Sequence, residues 1–97
     1  MVRRVLKYTW DSDKEAINVR KRGIDFDEAK SVFRDPGRLE MPDLSHSDDE
    51  PRQLTIGWSN RGRLLVVITS ERDPWLPRII SARRATKRER HDYARRR

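Results

Sequence analysis

Residues that could cleave RNA lie around the last predicted strand of the chain. Glu71 and Arg72 end one strand-like segment, and Arg78 and Arg83 lie in the next one. A carboxylate can act as a general base on a ribose 2′-hydroxyl, while an arginine stabilises the charge that develops on the scissile phosphate. The same residues could instead form ion pairs that hold the end of a sheet, which is their more frequent role. Their spacing alone leaves both interpretations open.

The turn between these two segments, Asp-Pro-Trp-Leu-Pro at 73–77, predicts a hairpin-like connection. We expect it to bring one acid and four arginines to the same edge region of a sheet: Glu71, Arg72, Arg78, Arg83 and Arg84. Alternation along the last strand predicts two sets of side chains on opposite faces: Arg78, Ile80 and Ala82, and Ile79, Ser81 and Arg83. Trp75 in the turn is expected to be exposed, where it could stack on a base or contact a partner protein.

The last twenty residues carry the net charge of the chain. Between residues 78 and 97, nine basic residues stand against two acidic ones, and this surplus equals the formal net charge of +7. A cationic end on a balanced body attracts polyanions, so RNA, DNA and an acidic protein are the candidate partners. The candidate RNA-binding residues are Arg78, Arg84, Lys87, Arg88 and Tyr93.

The basic C-terminal segment also has a simpler interpretation. Tyr93 could stack on a base or donate a proton, but it could equally pack with Glu89 on one face of a helix. The helix as a whole could be a solvated, frayed terminus.

The composition excludes several classes of protein. The 97 residues suffice for one domain, 1–97, and the absence of cysteine excludes disulfides and thiolate metal sites. No apolar run approaches the roughly twenty residues of a membrane span, and neither a signal-peptide pattern nor a phosphate-binding loop is present. We therefore expect a soluble, cytoplasmic protein. The stretch from His46 to Glu50 contains metal-ligand residue types, but no second histidine lies at ligand spacing, so we expect a polar loop and no metal.

Local signals predict two helices in the first half of the chain, after a strand at 5–10. The first helix covers 13–22, with Ala16 and Ile17 facing inward and Gly23 at its end. Asp25 and Glu28 form a capping-box pair that opens the second helix. Its predicted buried stripe consists of Phe26, Ala29, Val32 and Phe33.

The second half of the chain predicts an antiparallel meander and a third helix. Strands are expected at 38–41, 53–59, 63–72 and 78–82, with a tight hairpin at 60–62 and the strand at 63–72 in the centre of the sheet. Thr86 and Glu89 form a second capping box that opens the last helix. The predicted fold is α+β, with helices packed on one side of an antiparallel sheet.

Taken in order, these motifs resemble the BrnT family of bacterial toxins over nearly the whole chain. The first half contributes Tyr8-Thr9-Trp10-Asp11, Arg20-Lys21-Arg22-Gly23-Ile24, Phe26-Asp27-Glu28-Ala29 and Val32-Phe33-Arg34-Asp35-Pro36. The second half contributes Ile56-Gly57, Arg63-Leu64-Leu65-Val66-Val67, Glu71-Arg72 and the run from Arg78 to Thr86, followed by Glu89 and Tyr93. The turn at 73–77 departs from the family pattern because it is longer and more apolar than the usual connection.

The resemblance implies a RelE-like fold and a ribonuclease toxin of a type II toxin–antitoxin system. Such a toxin would cleave RNA without a metal or cofactor, leave a 2′,3′-cyclic phosphate and a 5′-hydroxyl, and arrest translation, with or without the ribosome as a partner. It also implies a BrnA-like antitoxin that blocks the toxin and carries the operator-DNA-binding part. By analogy, Glu71, Arg72 and Arg83 would be catalytic, and Arg78 would bind the phosphate. The acid, or a lysine or tyrosine, would help to activate the 2′-hydroxyl.

Two alternatives remain open at the level of the sequence. The chain could be a non-enzymatic module that binds nucleic acid or a partner protein through its basic surface. The cationic end could also serve mainly to hold an acidic antitoxin, since an inhibitor must cover the surface that binds RNA.

Overall fold

The structure is a computed structural model that describes residues 7–46 and 50–95. Its helices are α1 (Ser12–Arg22), α2 (Phe26–Ser31) and α3 (Lys87–Arg95). Its strands are β1 (Thr9–Trp10), β2 (Leu39–Pro42), β3 (Arg52–Trp58), β4 (Leu64–Ser70) and β5 (Arg78–Arg84). The start of the predicted first strand, most of the predicted polar loop at 46–50 and the last two arginines lie outside the described residues. Within the described ranges, no helix has the length and apolar character needed to cross a membrane.

The five strands form one mixed sheet in the order β1-β5-β4-β3-β2. β2 to β5 are antiparallel neighbours, while β1 joins β5 in parallel. β4 is central, as its apolar residues on both faces predict, and its residues 64–67 are fully or almost fully buried. The predicted hairpin between β3 and β4 is confirmed, since Gly62 has a φ of 70° and Ser59 accepts from its N–H.

Hydrophobic cores form on both faces of the sheet. On one face, here called the α1–α2 face, Leu65 and Val67 pack with Ile24, Phe26 and the rest of the predicted stripe of α2. On the other, here called the α3 face, Val66 packs with Tyr93 of α3. The α+β class is confirmed, but the prediction that all helices share one side is wrong. The reason is that β4 presents apolar side chains in both directions, so each face needs its own cover.

Both N-terminal helices begin at an aspartate cap, and α1 also ends at the glycine that capping rules indicate. Asp11 accepts a hydrogen bond from the backbone N–H of Asp13 at 2.7 Å, and Gly23 ends α1 in the left-handed region with a φ of 71°. Asp25 caps α2 by accepting from the N–H of Glu28 at 2.7 Å. The predicted inward face of α1 is wrong, because Ala16 and Ile17 are exposed.

Asn18, rather than an apolar residue, is the buried side chain of α1. Its Oδ1 accepts from the backbone N–H of Ala82 at 3.1 Å, and its Nδ2 donates to the carbonyl oxygens of Ala82 at 3.0 Å and of Ile24 at 2.9 Å. β1 pairs with β5 only at Arg78 and Ile79, so the amide of Asn18 takes the place of a neighbouring strand further along β5. α1 is therefore fixed to the sheet by polar contacts.

A buried ion pair fixes α2 to the β3–β4 hairpin. The carboxylate of Glu28, a residue 3% exposed, accepts from Arg63 and from Ser59 Oγ, the latter at 2.8 Å. The hydrogen bond to Arg63 outweighs desolvation and lowers the pKa of Glu28. Glu28 thus donates its N–H to the cap of its helix but directs its side chain to the hairpin.

Replacing Asn18 by Ala is expected to destabilise the protein by about 3 kcal/mol, because a buried N–H and two carbonyl oxygens lose their partners. Asn18→Asp should also destabilise it although the shape is kept, since a carboxylate would face those two carbonyl oxygens. Urea denaturation measures both effects, with Val19→Ala on the exposed side of α1 as the control. A loss in Asn18→Asp no larger than that of the control would contradict the assigned hydrogen bonds.

Candidate functional site

The α3 face is covered at one end and open at the other. Tyr93 of α3 packs over the end formed by Ile56, Leu64 and Val66. Beyond it lies a groove of about 260 Å³ whose wall includes three arginines and one carboxylate: Arg22, Arg52, Arg83 and Asp43. Its floor is formed by sheet residues that include Leu54, Ile68 and Ser81. A cationic, partly apolar groove of this kind suits a nucleic-acid strand, with phosphate on the arginines and sugar or base on the floor.

A β-bulge in β5 decides which arginines face this groove. Ser81 pairs with Ile68 and Ile79 pairs with Thr69, so Ile80 is an extra residue without a partner on β4. Arg78 then lies opposite Ser70, and Arg83 opposite Val66. Directly paired residues share a face, so both arginines point to the α3 side. The predicted strict alternation, which put them on opposite faces, is wrong for this reason.

Arg83 is held in place by α3. Its two terminal nitrogens donate to the two carboxylate oxygens of Glu89, each at 2.8 Å. Glu89 also accepts from the N–H of Thr86 at 2.8 Å and donates its own N–H to Thr86 Oγ1, which confirms the predicted capping box. The first turn of α3 therefore fixes the position of a guanidinium that lines the groove. Two further predicted RNA-binding residues, Lys87 and Arg88, are exposed in the same turn.

The ion pair shifts the pKa of both side chains in favour of their charged forms. The hydrogen bonds from Arg83 are the largest influence on Glu89 and lower its pKa from 4.5 to about 2. The hydrogen bonds to Glu89 in turn raise the pKa of Arg83. Arg83 is therefore a permanent cation, suited to bind and neutralise phosphate and unable to accept a proton at neutral pH.

Arg52 is a groove residue that sequence reasoning missed. Its Nε is buried, and among the described residues it has no hydrogen-bond partner. Arg52 lies two residues before Leu54 on β3 and pairs with Ser70 on β4, so all three side chains are on the same face of the sheet. The alternation of β3 could have indicated its face, but only the pairing with β4 shows that this face is the one that carries Arg83.

A second, smaller cavity of about 190 Å³ adjoins the groove along the sheet. Its wall includes Arg72, Arg78, Glu50 and Ser70. Arg72 pairs with Glu50 at 2.9 Å, although the Arg72 side chain is 77% exposed. The hydrogen bond from Ser70, followed by the charges of Arg72, Arg52 and Arg78, lowers the pKa of Glu50 despite partial desolvation. Ser70 lies two residues beyond Ile68 of the first groove, about 7 Å along β4.

The predicted cluster of one acid and four arginines is only partly assembled. Arg72 and Arg78 line one cavity, while Arg83 lies at the level of Val66, four residues or about 13 Å along β4 from the partner of Arg78. Glu71 accepts a hydrogen bond from Thr69 at 3.2 Å, a residue whose side chain lies on the α1–α2 side. Arg84 lies opposite Leu65, which also belongs to that side. The structure thus does not bring Glu71 or Arg84 into the groove.

Tyr93 forms part of the core. It is 4% exposed, its hydroxyl donates to Asp35 Oδ2 at 2.7 Å, and its ring contacts Trp58 edge-to-face with centroids 6.5 Å apart. Asp35 also accepts from the backbone N–H of Trp58 at 2.9 Å. This placement favours the packing interpretation of Tyr93 over base stacking. Trp75, in contrast, is 63% exposed, as expected for its turn.

Comparison with known proteins identifies the family. The model of the BrnT family, described as the ribonuclease toxin BrnT of a type II toxin–antitoxin system, matches residues 10–89. The chain belongs to the BrnT family. The matched segment includes every residue that lines the groove, the Arg83–Glu89 pair, and the lining of the second cavity except Thr9.

A solved structure supports the same assignment. The crystal structure of the Brucella abortus ribonuclease toxin BrnT is similar to this chain with a TM-score of 0.65 and 25% sequence identity. The similarity covers 86% of this chain and 100% of the chain in the Brucella structure. No curated protein matches the sequence. The chain is thus a BrnT-family ribonuclease toxin with the α+β fold that its pattern of helices and strands predicts.

The Arg83–Glu89 pair gives this BrnT-family chain a defined acid sensitivity. Because the folded-state pKa of Glu89 is depressed, its contribution to stability is complete above about pH 4.5 and is lost as pH falls towards 2. The pair is partly solvated, so we expect a contribution of about 1 kcal/mol. Urea denaturation of the wild type and Glu89→Gln should show a stability difference at pH 6 that shrinks towards pH 2. A difference that is constant with pH would contradict the assignment.

Proposed function

We propose that this chain is a metal-independent endoribonuclease and that the groove on the α3 face is its active site. The observation that carries the proposal is the convergence of Arg22, Arg52 and Arg83 on one groove that also contains Asp43. The three guanidiniums supply positive charge where a phosphate gains negative charge in the transition state. An RNA strand on this floor would place its phosphate among them and its sugar near the carboxylate.

The proposed reaction is transesterification by the ribose 2′-oxygen. This oxygen attacks the adjacent phosphorus, the bond from phosphorus to the 5′-oxygen breaks, and the products are a 2′,3′-cyclic phosphate and a 5′-hydroxyl. Arg83 binds a non-bridging oxygen of the phosphate, and Glu89 holds the guanidinium in the orientation that this requires. Fixed donors are effective because they need no reorganisation when the charge develops.

Asp43 is the carboxylate that we assign to proton acceptance. It lines the groove with Arg83 and is 9% exposed, and its Oδ1 accepts from Ser45 Oγ at 2.7 Å. The proton would pass from the 2′-hydroxyl to Asp43, and the 5′-oxygen would take one from water. Glu71 is the acid that the family resemblance suggested, but the cavity that it lines has only Arg52 in common with the groove. Glu89 is too weak a base at its lowered pKa.

The biological setting follows the family. We propose that the substrate is mRNA in the cytoplasm, that its cleavage arrests translation, and that a BrnA-like antitoxin neutralises the enzyme. An antitoxin with acidic residues opposite the arginines would compete directly with RNA for the groove. This complementarity gives inhibition without any change in the toxin fold.

Three substitutions separate catalysis from support of the fold. Arg83→Ala removes the guanidinium and the ion pair, and should lower the cleavage rate about 10²–10³-fold. Glu89→Ala removes the same ion pair but keeps the guanidinium, so its loss should be clearly smaller. Arg34→Ala removes an exposed charge outside the groove and serves as the matched control. The assay uses single-stranded RNA in EDTA, with identification of the new ends.

Two results would contradict the proposal. Equal losses in Arg83→Ala and Glu89→Ala would assign Arg83 to the fold rather than to the phosphate. Intact RNA, both alone and with translating ribosomes, would indicate a non-enzymatic module, for which Arg83→Ala should instead weaken binding and reduce its salt dependence.

A further inference from the structure

The cavity beside the groove combines both signs of charge. Arg72, Arg78, Glu50 and Asp73 all line this space of about 190 Å³. A phosphate there would meet the arginines but also the Glu50 carboxylate, which is already paired with Arg72 at 2.9 Å. A neutral group with both donors and acceptors satisfies such a wall without like-charge repulsion. A nucleobase edge is a group of this kind.

The size of the cavity and its apolar rim agree with one base. It is smaller than the roughly 300–1,000 Å³ of pockets that enclose drug-sized ligands. Leu76 lines it, and Trp75 precedes Leu76 in the turn between β4 and β5. Trp75 is 63% exposed, and its N–H and that of Leu76 both donate to Asp73, which keeps the turn compact. Trp75 does not itself line the cavity, but it is the sequence neighbour of Leu76, which does, and its exposed indole is the kind of stacking surface that single-stranded RNA uses.

The position of the cavity links it to the proposed cleavage groove. Ile68 lines the groove and Ser70 lines the cavity, and the two are successive same-face residues of β4, about 7 Å apart. The bulge at Ile80 puts Arg78 on this face as well. An extended strand bound in the groove can therefore pass directly to the cavity.

We propose that this cavity, formed by Glu50, Arg72, Arg78 and the turn at 73–77, binds one nucleobase of the RNA next to the cleaved linkage. Arg72 donates to acceptor atoms of the base, Glu50 accepts from its N–H groups, and Trp75 stacks on it or on its neighbour. The inference rests on the proposed function for the identity of the ligand, and it adds a subsite that selects the sequence to be cleaved.

The test uses an RNA oligonucleotide of about eight residues that is 2′-O-methylated and thus cannot be cleaved. One abasic site is moved along it, and binding is measured by fluorescence anisotropy. For the wild type, the abasic site should weaken binding about tenfold at one position, in line with the stacking energy of a single base. In Trp75→Ala and in Glu50→Ala, an abasic site at that position should weaken binding much less than it does in the wild type. Trp75→Phe should retain it.

A matched control separates a base-binding subsite from a general loss of affinity for RNA. Ile17→Ala removes an exposed apolar side chain of α1 and should behave as wild type. Two results would overturn the inference: Trp75→Ala lowers the affinity for every oligonucleotide by the same factor, wherever the abasic site lies, or Trp75→Ala does not lower the affinity for RNA. Either result would assign Trp75 to contact with a protein partner. Thermal denaturation shows whether a variant is folded. If Trp75→Ala does not fold, the effect of the abasic site is compared between Trp75→Phe and the wild type.

The outcome also separates this inference from the proposed function. Position-specific binding through Trp75 by a protein that cleaves no RNA would support the subsite and refute the nuclease. Metal-free cleavage with unchanged base preference in Trp75→Ala and Glu50→Ala would support the nuclease and refute the subsite.

Discussion

The extra residue at Ile80 is the constraint on which the arrangement of the site depends. In an unbroken strand, Arg78 and Arg83 are five residues apart and point to opposite faces. The bulge shifts the register by one, so that both arginines and Ser81 share the face of Ile68 and Ser70. Ile79 and Ala82 are left on the other side, where they complete the core beneath α1 and α2. One inserted residue thus serves the core and the polar surface at once.

A second constraint is that the two helices on the α1–α2 face are attached to the sheet through polar side chains. Asn18 joins α1 to the free edge of β5, and Glu28 joins α2 to the β3–β4 hairpin through Arg63. A chain with 34% hydrophobic residues has limited apolar area to bury. Buried amides and ion pairs with complete partners give such a small core its orientation, because an unpaired group in the same place is costly.

Polar attachment of this kind also connects the fold to the chemistry on the α3 face. Glu89 caps α3, pairs with Arg83 and leaves that arginine on the wall of the groove. Tyr93, one turn later, anchors α3 to Asp35 and to the covered end of the sheet. The basic helix α3 is therefore neither a free tail nor only an RNA-binding surface. Its inner side sets the geometry of the groove, and its outer side carries exposed cations.

The sequence by itself determined the features that depend on neighbouring residues. Asp11, Gly23, Asp25 and Thr86 mark helix ends because a cap is satisfied within three or four residues of the chain, and Gly62 marks a turn for the same reason. The family resemblance likewise follows from the order of such local motifs. Tertiary structure decided which side chains meet. The structure places Arg52 in the groove, Glu71 and Arg84 outside it, and Tyr93 in the core. The sequence did not predict these positions, because strand register and the bulge depend on residues far apart in sequence. A polar residue such as Asn18 carries no sign in its own neighbourhood that it will replace a strand, since its partner Ala82 lies 64 residues away.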